Sequence, residues 1–239
     1  MNKKLQINTC LSPLYFEKYS DNKSIVVVID ILRATSVIST AFHFGVKEII
    51  PVQSLQTALN YKGKENFIVA AERNAMPIEG FDFGNSPFHY MNEKVKEKTL
   101  VFTTTNGTKS IQMAMQHHTI TASFINIDAV ANYLINQQKS VILLCAGWKG
   151  FFNLEDSIFA GKLASKLLDN GFATTDDSTL SSVYLHQISD VDLFSFLSKS
   201  SHRKRLKTLN MEEDTKFCLS PTFKSDIVPV LQDEKLIKL

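Results

Sequence analysis

Cysteine is scarce and scattered in this chain. Of 239 residues only Cys10, Cys145 and Cys218 carry a thiol, and no two form a C-x-x-C pair. An odd number at such spacing excludes a disulfide framework and a structural zinc site. The thiols are expected to be reduced, with Cys145 and Cys218 buried. Long apolar runs are missing too. The run Ile25 to Ile29 stops at Asp30, far short of a membrane span, and the basic tip MNKKLQINTC leads into no secretory apolar segment. A cytoplasmic protein with no membrane partner is expected. Neither sign of charge dominates, since 26 Lys and Arg against 24 Asp and Glu leave +2 at pH 7, so no global argument for nucleic acid exists. The short cluster His202, Arg203, Lys204, Arg205 reads as a solvated helix face. No repeat or low-complexity stretch interrupts the chain.

Several familiar site motifs are also lacking. There is no G-x-x-x-x-G-K-[ST] for a nucleotide P-loop and no G-x-G-x-x-G after a strand. An aspartyl-phosphate motif of the D-x-D-x-T kind starting at Asp30 would need Asp and Thr where Leu32 and Ala34 stand. No histidine falls in the polar clusters described below, which argues against zinc and against a Ser-His-Asp hydrolase.

What is present is a regular alternation of β-branched runs with helical stretches. Strands are expected near 24–30, 47–52, 67–71, 99–104, 118–122 and 140–146, and helices near 35–44, 54–62, 86–94, 107–117, 127–138 and 155–169. The last helix carries Ile158, Phe159, Leu163, Leu167 and Leu168 at helical spacing and ends at Asn170-Gly171. This pattern predicts an α/β fold, a mostly parallel sheet with helices on both faces. After Gly171 the texture turns polar, and 183–217 reads as helices without strands. Residues 1–172 are therefore expected to form the α/β core carrying the site, and residues 173–239 a mainly helical C-terminal region packed on it, possible as part of the same domain. With 44% hydrophobic residues the chain is long enough to bury a sizeable core.

Nearly every polar cluster follows directly on an expected strand, where open α/β sheets bind ligands. Asp30, Arg33, Thr35 and Ser36 follow the first strand, and Glu72, Arg73 and Asn74 the third. The loop with Asp82, Asn85 and Ser86 comes next, then Thr103 to Thr108, and then Gly147, Trp148, Glu155 and Asp156. Each cluster alone reads first as caps, turns and packing, since caps are common and sites are few. Together, carboxylates for a hard cation such as Mg²⁺, guanidinium groups for anionic oxygens, and hydroxyls and N–H groups at a helix start suit phosphoryl transfer.

The blocks VVVIDILRATSVISTA (26–41), AERNAMPIEGFDFGNSP (71–87), VFTTTNGT (101–108) and LLCAGWKGFFNLEDSIFAG (143–161) closely resemble, in order and spacing, those of the 2-phosphosulfolactate phosphatase family. A weaker likeness extends to the C-terminus. The resemblance implies a Mg²⁺-dependent phosphatase converting 2-phospho-3-sulfolactate to 3-sulfolactate and phosphate, a step of coenzyme M biosynthesis in organisms that make it. The chain departs from the family pattern at Ala71 and Ala75, and in the C-terminal block at His202-Arg203-Lys204 and Asn210, where glycines are expected.

On this reading Asp30, Arg33, Glu72 and Asp156 are the candidate catalytic residues, and Asp30, Glu72, Glu155 and Asp156 the candidate metal ligands. Thr35, Arg73, Asn85, Ser86, Thr104, Thr105, Asn106, Gly107, Thr108, Gly147 and Trp148 are the candidates for a small anionic phosphorylated substrate. Direct attack by a metal-activated water is expected, with a covalent aspartyl-phosphate at Asp30 as the variant. Two alternatives stay open: a phosphatase of another phosphorylated hydroxy acid, and a non-catalytic module binding such metabolites. A homodimer is expected only because symmetric dimers are common.

Overall fold

β-Branched runs with no polar side make the central strands. IVVVI is buried at every position, as a parallel strand covered on both faces requires. The computed structural model describes residues 4–239. In chain order its elements are β1 (Ile7–Cys10), α1 (Phe16–Tyr19), β2 (Ile25–Ile29), α2 (Ala34–His43), β3 (Glu48–Pro51) and α3 (Leu55–Leu59). There follow β4 (Phe67–Arg73), β5 (Met76–Pro77), β6 (Thr99–Thr103), α4 (Gly107–Met113), β7 (His118–Ala122), α5 (Ile127–Gln137), β8 (Val141–Cys145) and α6 (Leu154–Leu168). The C-terminal part holds α7 (Asp177–Ser189), α8 (Leu193–Phe196), α9 (Ser201–Thr208), α10 (Glu212–Leu219), β9 (Pro229–Gln232) and β10 (Lys235–Lys238).

The strands form one sheet in the order β1-β8-β2-β7-β9-β10-β3-β6-β4-β5. β1, β8, β2 and β7 run parallel, as do β3, β6 and β4. The antiparallel hairpin β9–β10 joins these two groups, with Ile120 opposite Val230 and Leu236 opposite Ile49. This is the expected fold class, an α/β architecture with a mostly parallel sheet and C-terminal helices packed on it.

Alternation along β2 divides the core. Val27 and Ile29 face the side of α5, α6 and the C-terminal helices, whereas Val26 and Val28 face α2. Val37, Ile38 and Phe42 of α2 share that second cluster with Phe102 of β6 and Ile68 of β4. The sheet thus curves around α2 and brings the carboxyl ends of β2, β4 and β6 to one rim. On the other face α6 lies against α7 so closely that a Cβ on Gly161 would stand 1.9 Å from the Ser182 carbonyl oxygen.

All six expected strands are present, and the segment 183–217 is helical as read. The short strands β1, β5, β9 and β10 were not anticipated. The helix expected over 86–94 is instead two 3₁₀ turns, Pro87–Tyr90 and Glu93–Val95. Asn92 interrupts it, its side chain accepting from the Lys94 N–H at 2.9 Å, as a cap does. The helix expected over 54–62 shrinks to Leu55–Leu59. All three cysteines are free and buried. Among the described residues no helix is long and apolar enough to cross a membrane.

Leu236 is fully buried in the hairpin that joins the two strand groups. Leu236→Ala is expected to destabilise the protein by about 3 kcal/mol, measured by denaturant unfolding; a loss under 1 kcal/mol would deny the hairpin that structural weight.

Candidate active site

The rim is built from side chains and backbone groups that hold one another. Asp30 leaves β2 and its backbone N–H donates to Thr35 Oγ1 at 3.2 Å, while the Thr35 N–H returns to the Asp30 carbonyl at 3.0 Å. Thr35 is fully buried and shapes the turn. Asp156 sits in the first turn of α6, where Asn153 caps the helix by accepting from the Asp156 N–H at 3.1 Å. Its carboxylate accepts from the N–H groups of Ile31 (2.8 Å) and Gly147 (3.0 Å) and from Asn153 Nδ2 (2.9 Å), so it ties the loops after β2 and β8 together.

Glu72 performs the same service on the other half of the sheet. It accepts from the N–H of Ala75 and from the N–H and hydroxyl of Thr105, at 3.2 and 3.1 Å. Ala75 itself lies at φ 71, a left-handed conformation that a glycine adopts freely and an alanine resists. Thr104 and Thr108 turn inward and bond each other, the Thr108 N–H reaching Thr104 Oγ1 at 3.1 Å, and the Thr104 N–H reaching Thr108 Oγ1 at 2.9 Å. The backbone N–H groups of Asn106 and Gly107, by contrast, have no acceptor among the described residues. Gly107 is pressed against Asp30, for an added Cβ would stand 2.6 Å from Asp30 Oδ2 and 2.5 Å from Ala34 Cβ.

One cleft gathers Asp30, Arg33, Glu72, Asn85, Thr105 and Asn106 from the expected set. Behind it stand Thr35, Gly107, Gly147 and Asp156, and Ser86, whose hydroxyl donates to Asp214 at 2.8 Å. Arg73 faces a separate hollow with Thr104, Thr105 and Thr108 and donates to Thr103 Oγ1 at 2.9 Å. Asp82 lies away from the site, paired with Lys62. Trp148 lies beneath the Arg205 guanidinium, 4.5 Å from ring centre to Cζ.

The C-terminal helices complete the cleft. His202 and Arg205 of α9 line it, so the basic cluster is not simply a solvated face: His202 is only 7% exposed. Its Nδ1 lies 2.6 Å from Glu155 Oε1. From α10, Asp214 takes Arg33 Nη1 at 2.5 Å, and Arg33 Nη2 donates to the Ala75 carbonyl at 2.6 Å. No carboxylate among the described residues pairs with Arg205, whose Nε is buried without a partner. A histidine thus does enter the site, against the expectation drawn from the polar clusters. The His202 to Leu206 spacing of four, which puts both on one buried helix face, is the signal that could have found it.

Asp30 differs from the other carboxylates. None of the described residues donates to its side chain, although it is buried in the cleft wall. Burial first, then repulsion from Asp156, Glu72 and Glu155, pushes its carboxyl well above the usual carboxylate range, with His202 acting the other way. Burial and the neighbouring Glu155 raise Asp156 as well, opposed by its hydrogen bonds. Asn85 Oδ1 is likewise buried with no donor. Unsatisfied acceptors and free N–H groups at the carboxyl ends of parallel strands, with the Arg33 and Arg205 guanidinium groups beside them, make an α/β site suited to a small anionic ester.

Comparison with known sequences agrees. The family model described as 2-phosphosulpholactate phosphatase matches residues 10–234, and the chain belongs to this family of phosphoric monoester hydrolases. Similar relatives include a probable 2-phosphosulfolactate phosphatase of Caldanaerobacter subterraneus subsp. tengcongensis, 41% identical over 87% of this chain and 88% of the relative. One of Clostridium novyi is 39% identical over 93% and 94%, and one of Thermotoga maritima 41% identical over 80% and 82%. Each carries that same description.

Two outcomes follow from the packing and charge of this cleft. Gly107→Ala is expected to push α4 off Asp30 and lower turnover roughly 10–100-fold, read from steady-state kinetics. Because burial pushes the folded Asp30 carboxyl from 3.8 up to about 8, the folded state is expected to hold more protons than the unfolded one between those values. That stabilisation is complete below pH 3.8 and lost as pH rises through 8. In EDTA the melting temperature is therefore expected to fall from pH 5 to 8, and Asp30→Asn to flatten the decline; an unchanged slope in the variant would refute it.

Proposed function

We propose that the chain is a Mg²⁺-dependent phosphatase that hydrolyses 2-phospho-3-sulfolactate to 3-sulfolactate and phosphate. The observation that carries this reading is the Asp30 carboxylate, buried without a protein donor and sharing its cleft with Arg33, Arg205 and Asn106. A binding module for anions has no need of a bare carboxylate there unless a cation lies between it and the ligand.

The donor set fits Mg²⁺. No group of three or more His, Cys, Asp or Glu side chains among the described residues converges as a cage, and Mg²⁺ ordinarily takes one or two carboxylates and fills its shell with water and substrate phosphate. Asp30 and the unpartnered Asn85 Oδ1 would hold it. When bound, the ion would neutralise phosphate charge and lower the pKa of a water molecule. Glu72 and Asp156, with their oxygens already accepting hydrogen bonds, keep the walls of the site in place.

The remaining residues answer the substrate's charge. Phosphate, sulfonate and carboxylate together need several cationic or N–H partners. Arg33, fixed by Asp214 and the Ala75 carbonyl, is a rigid donor, and Arg205 is a guanidinium with no salt-bridge partner among the described residues. The free N–H groups of Asn106 and Gly107 would stabilise charge developing on the phosphoryl oxygens during in-line attack by water.

Phosphate release from 2-phosphosulfolactate and from a panel of other phosphorylated hydroxy acids, with Mg²⁺ and with EDTA, tests the reading. Mg²⁺-dependent release preferring the sulfonated substrate is expected, and Asp30→Asn is expected to lower kcat by about 10²–10³. Preference for another phospho-acid would keep the chemistry and change the substrate; release from none would favour the binding module.

A further inference from the structure

We propose that His202, oriented by Glu155, is the general acid that protonates the leaving oxygen of the phosphate ester. The proposal rests on the phosphatase reading above and adds to it a residue supplied by the C-terminal helices.

Glu155 is fully buried and His202 nearly so, with Nδ1 and Oε1 2.6 Å apart. The second oxygen of Glu155, Oε2, is buried with no partner, so His202 is the only donor to that carboxylate among the described residues. Against an ionised Glu155, which can only accept, Nδ1 is the donor. The other ring nitrogen, Nε2, has no protein partner among the described residues, and the ring lines the same cleft as Asp30, Arg33 and Arg205. One nitrogen is therefore fixed and the other is left for the ligand. The charged groups that face the ring are Glu155 of α6, Asp30 and Arg33 after β2, Glu72 of β4, and Arg205 of its own helix.

The chemistry calls for such a group. The ester oxygen sits on the carbon of a hydroxy acid, and an unassisted alkoxide is a poor leaving group. In the step, the water oxygen forms a bond to phosphorus while the bond from phosphorus to the ester oxygen breaks. The electron pair of that bond passes to the ester oxygen, which takes the proton from Nε2 and leaves as the alcohol. The phosphoric acid formed returns one proton to the ring, so the cycle closes without a further reactant. Glu155 holds the ring in place and balances its charge while the proton is present; it is a positioning residue.

The test compares an alkyl phosphate, 2-phosphosulfolactate, with an activated aryl phosphate, p-nitrophenyl phosphate, whose leaving group needs no proton. Asn places its amide nitrogen near the Nδ1 position and so keeps a donor to Glu155 while removing Nε2. His202→Asn is expected to lower kcat/KM for the alkyl ester about 10²–10⁴-fold and to leave the aryl ester within about threefold. The fall of wild-type kcat/KM at alkaline pH is expected to disappear in this variant, and Glu155→Gln to shift that fall to lower pH. Equal losses on both esters, or an unchanged pH profile in a variant with wild-type circular dichroism and melting, would overturn the assignment. Where the aryl ester is not turned over, the pH profile alone decides. A wild-type enzyme that releases phosphate from no ester would instead overturn the phosphatase reading itself.

Discussion

Concentrated negative charge in a nearly dry place is the constraint on which the rest of this structure depends. Asp30, Glu72, Glu155, Asp156 and Asp214 are all buried near one rim. Isolated charges there would be strongly unfavourable, and four of the five are compensated by different parts of the chain. Asp156 gathers backbone donors from the loops after β2 and β8, and Glu72 gathers them from the loops after β4 and β6. Glu155 has His202, and Asp214 has Arg33 and Ser86. Only Asp30 is left without a donor. The loops of the site take their shape from meeting these needs, and the exception is the one carboxylate of the five left open to the cleft.

The same view explains the polar residues that face inward rather than toward a ligand. Thr35, Thr104 and Thr108 are buried and bonded to the chain itself. Their value lies in setting the backbone so that Asp30 projects and the N–H groups of Asn106 and Gly107 stay free. Ala75 shows how firmly the surroundings dictate this loop. Its N–H goes to Glu72 and its carbonyl to Arg33, and these two anchors hold it at a positive φ that its own side chain disfavours.

Much of this was legible in the sequence, and the limits have physical causes. Six strands were legible, most plainly β2, β6 and β8, which are buried at every position and read as nearly unbroken apolar runs. β9 and β10 were not, because PVLQ and KLIK carry only four residues each with polar or charged members, too little for alternation to stand out. Asp30, Arg33, Glu72, Asn85, Thr105 and Asn106 were legible because each follows a strand. His202, Arg205 and Asp214 were hidden in charge-rich helices far along the chain, where SHRKRLKT resembles a solvent-facing surface. Only packing against α6 reveals that one edge of that helix turns inward. Thr35 and Thr108, expected as ligand contacts from their places after strands, have hydroxyls that bond the backbone, a detail that position in the sequence does not carry.

The hairpin in the middle of the sheet also bears on how the chain is made. The seven strands of the two parallel groups, and β5 with them, lie before Ala146, whereas β9 begins only at Pro229. A ribosome therefore releases both halves well before the segment that joins them. Until then β7 and β3 each present an open edge of unpaired peptide groups, which invites pairing with another nascent chain. The halves contribute Asp30 and Glu72 separately, so the cleft they share is complete only once the hairpin joins them.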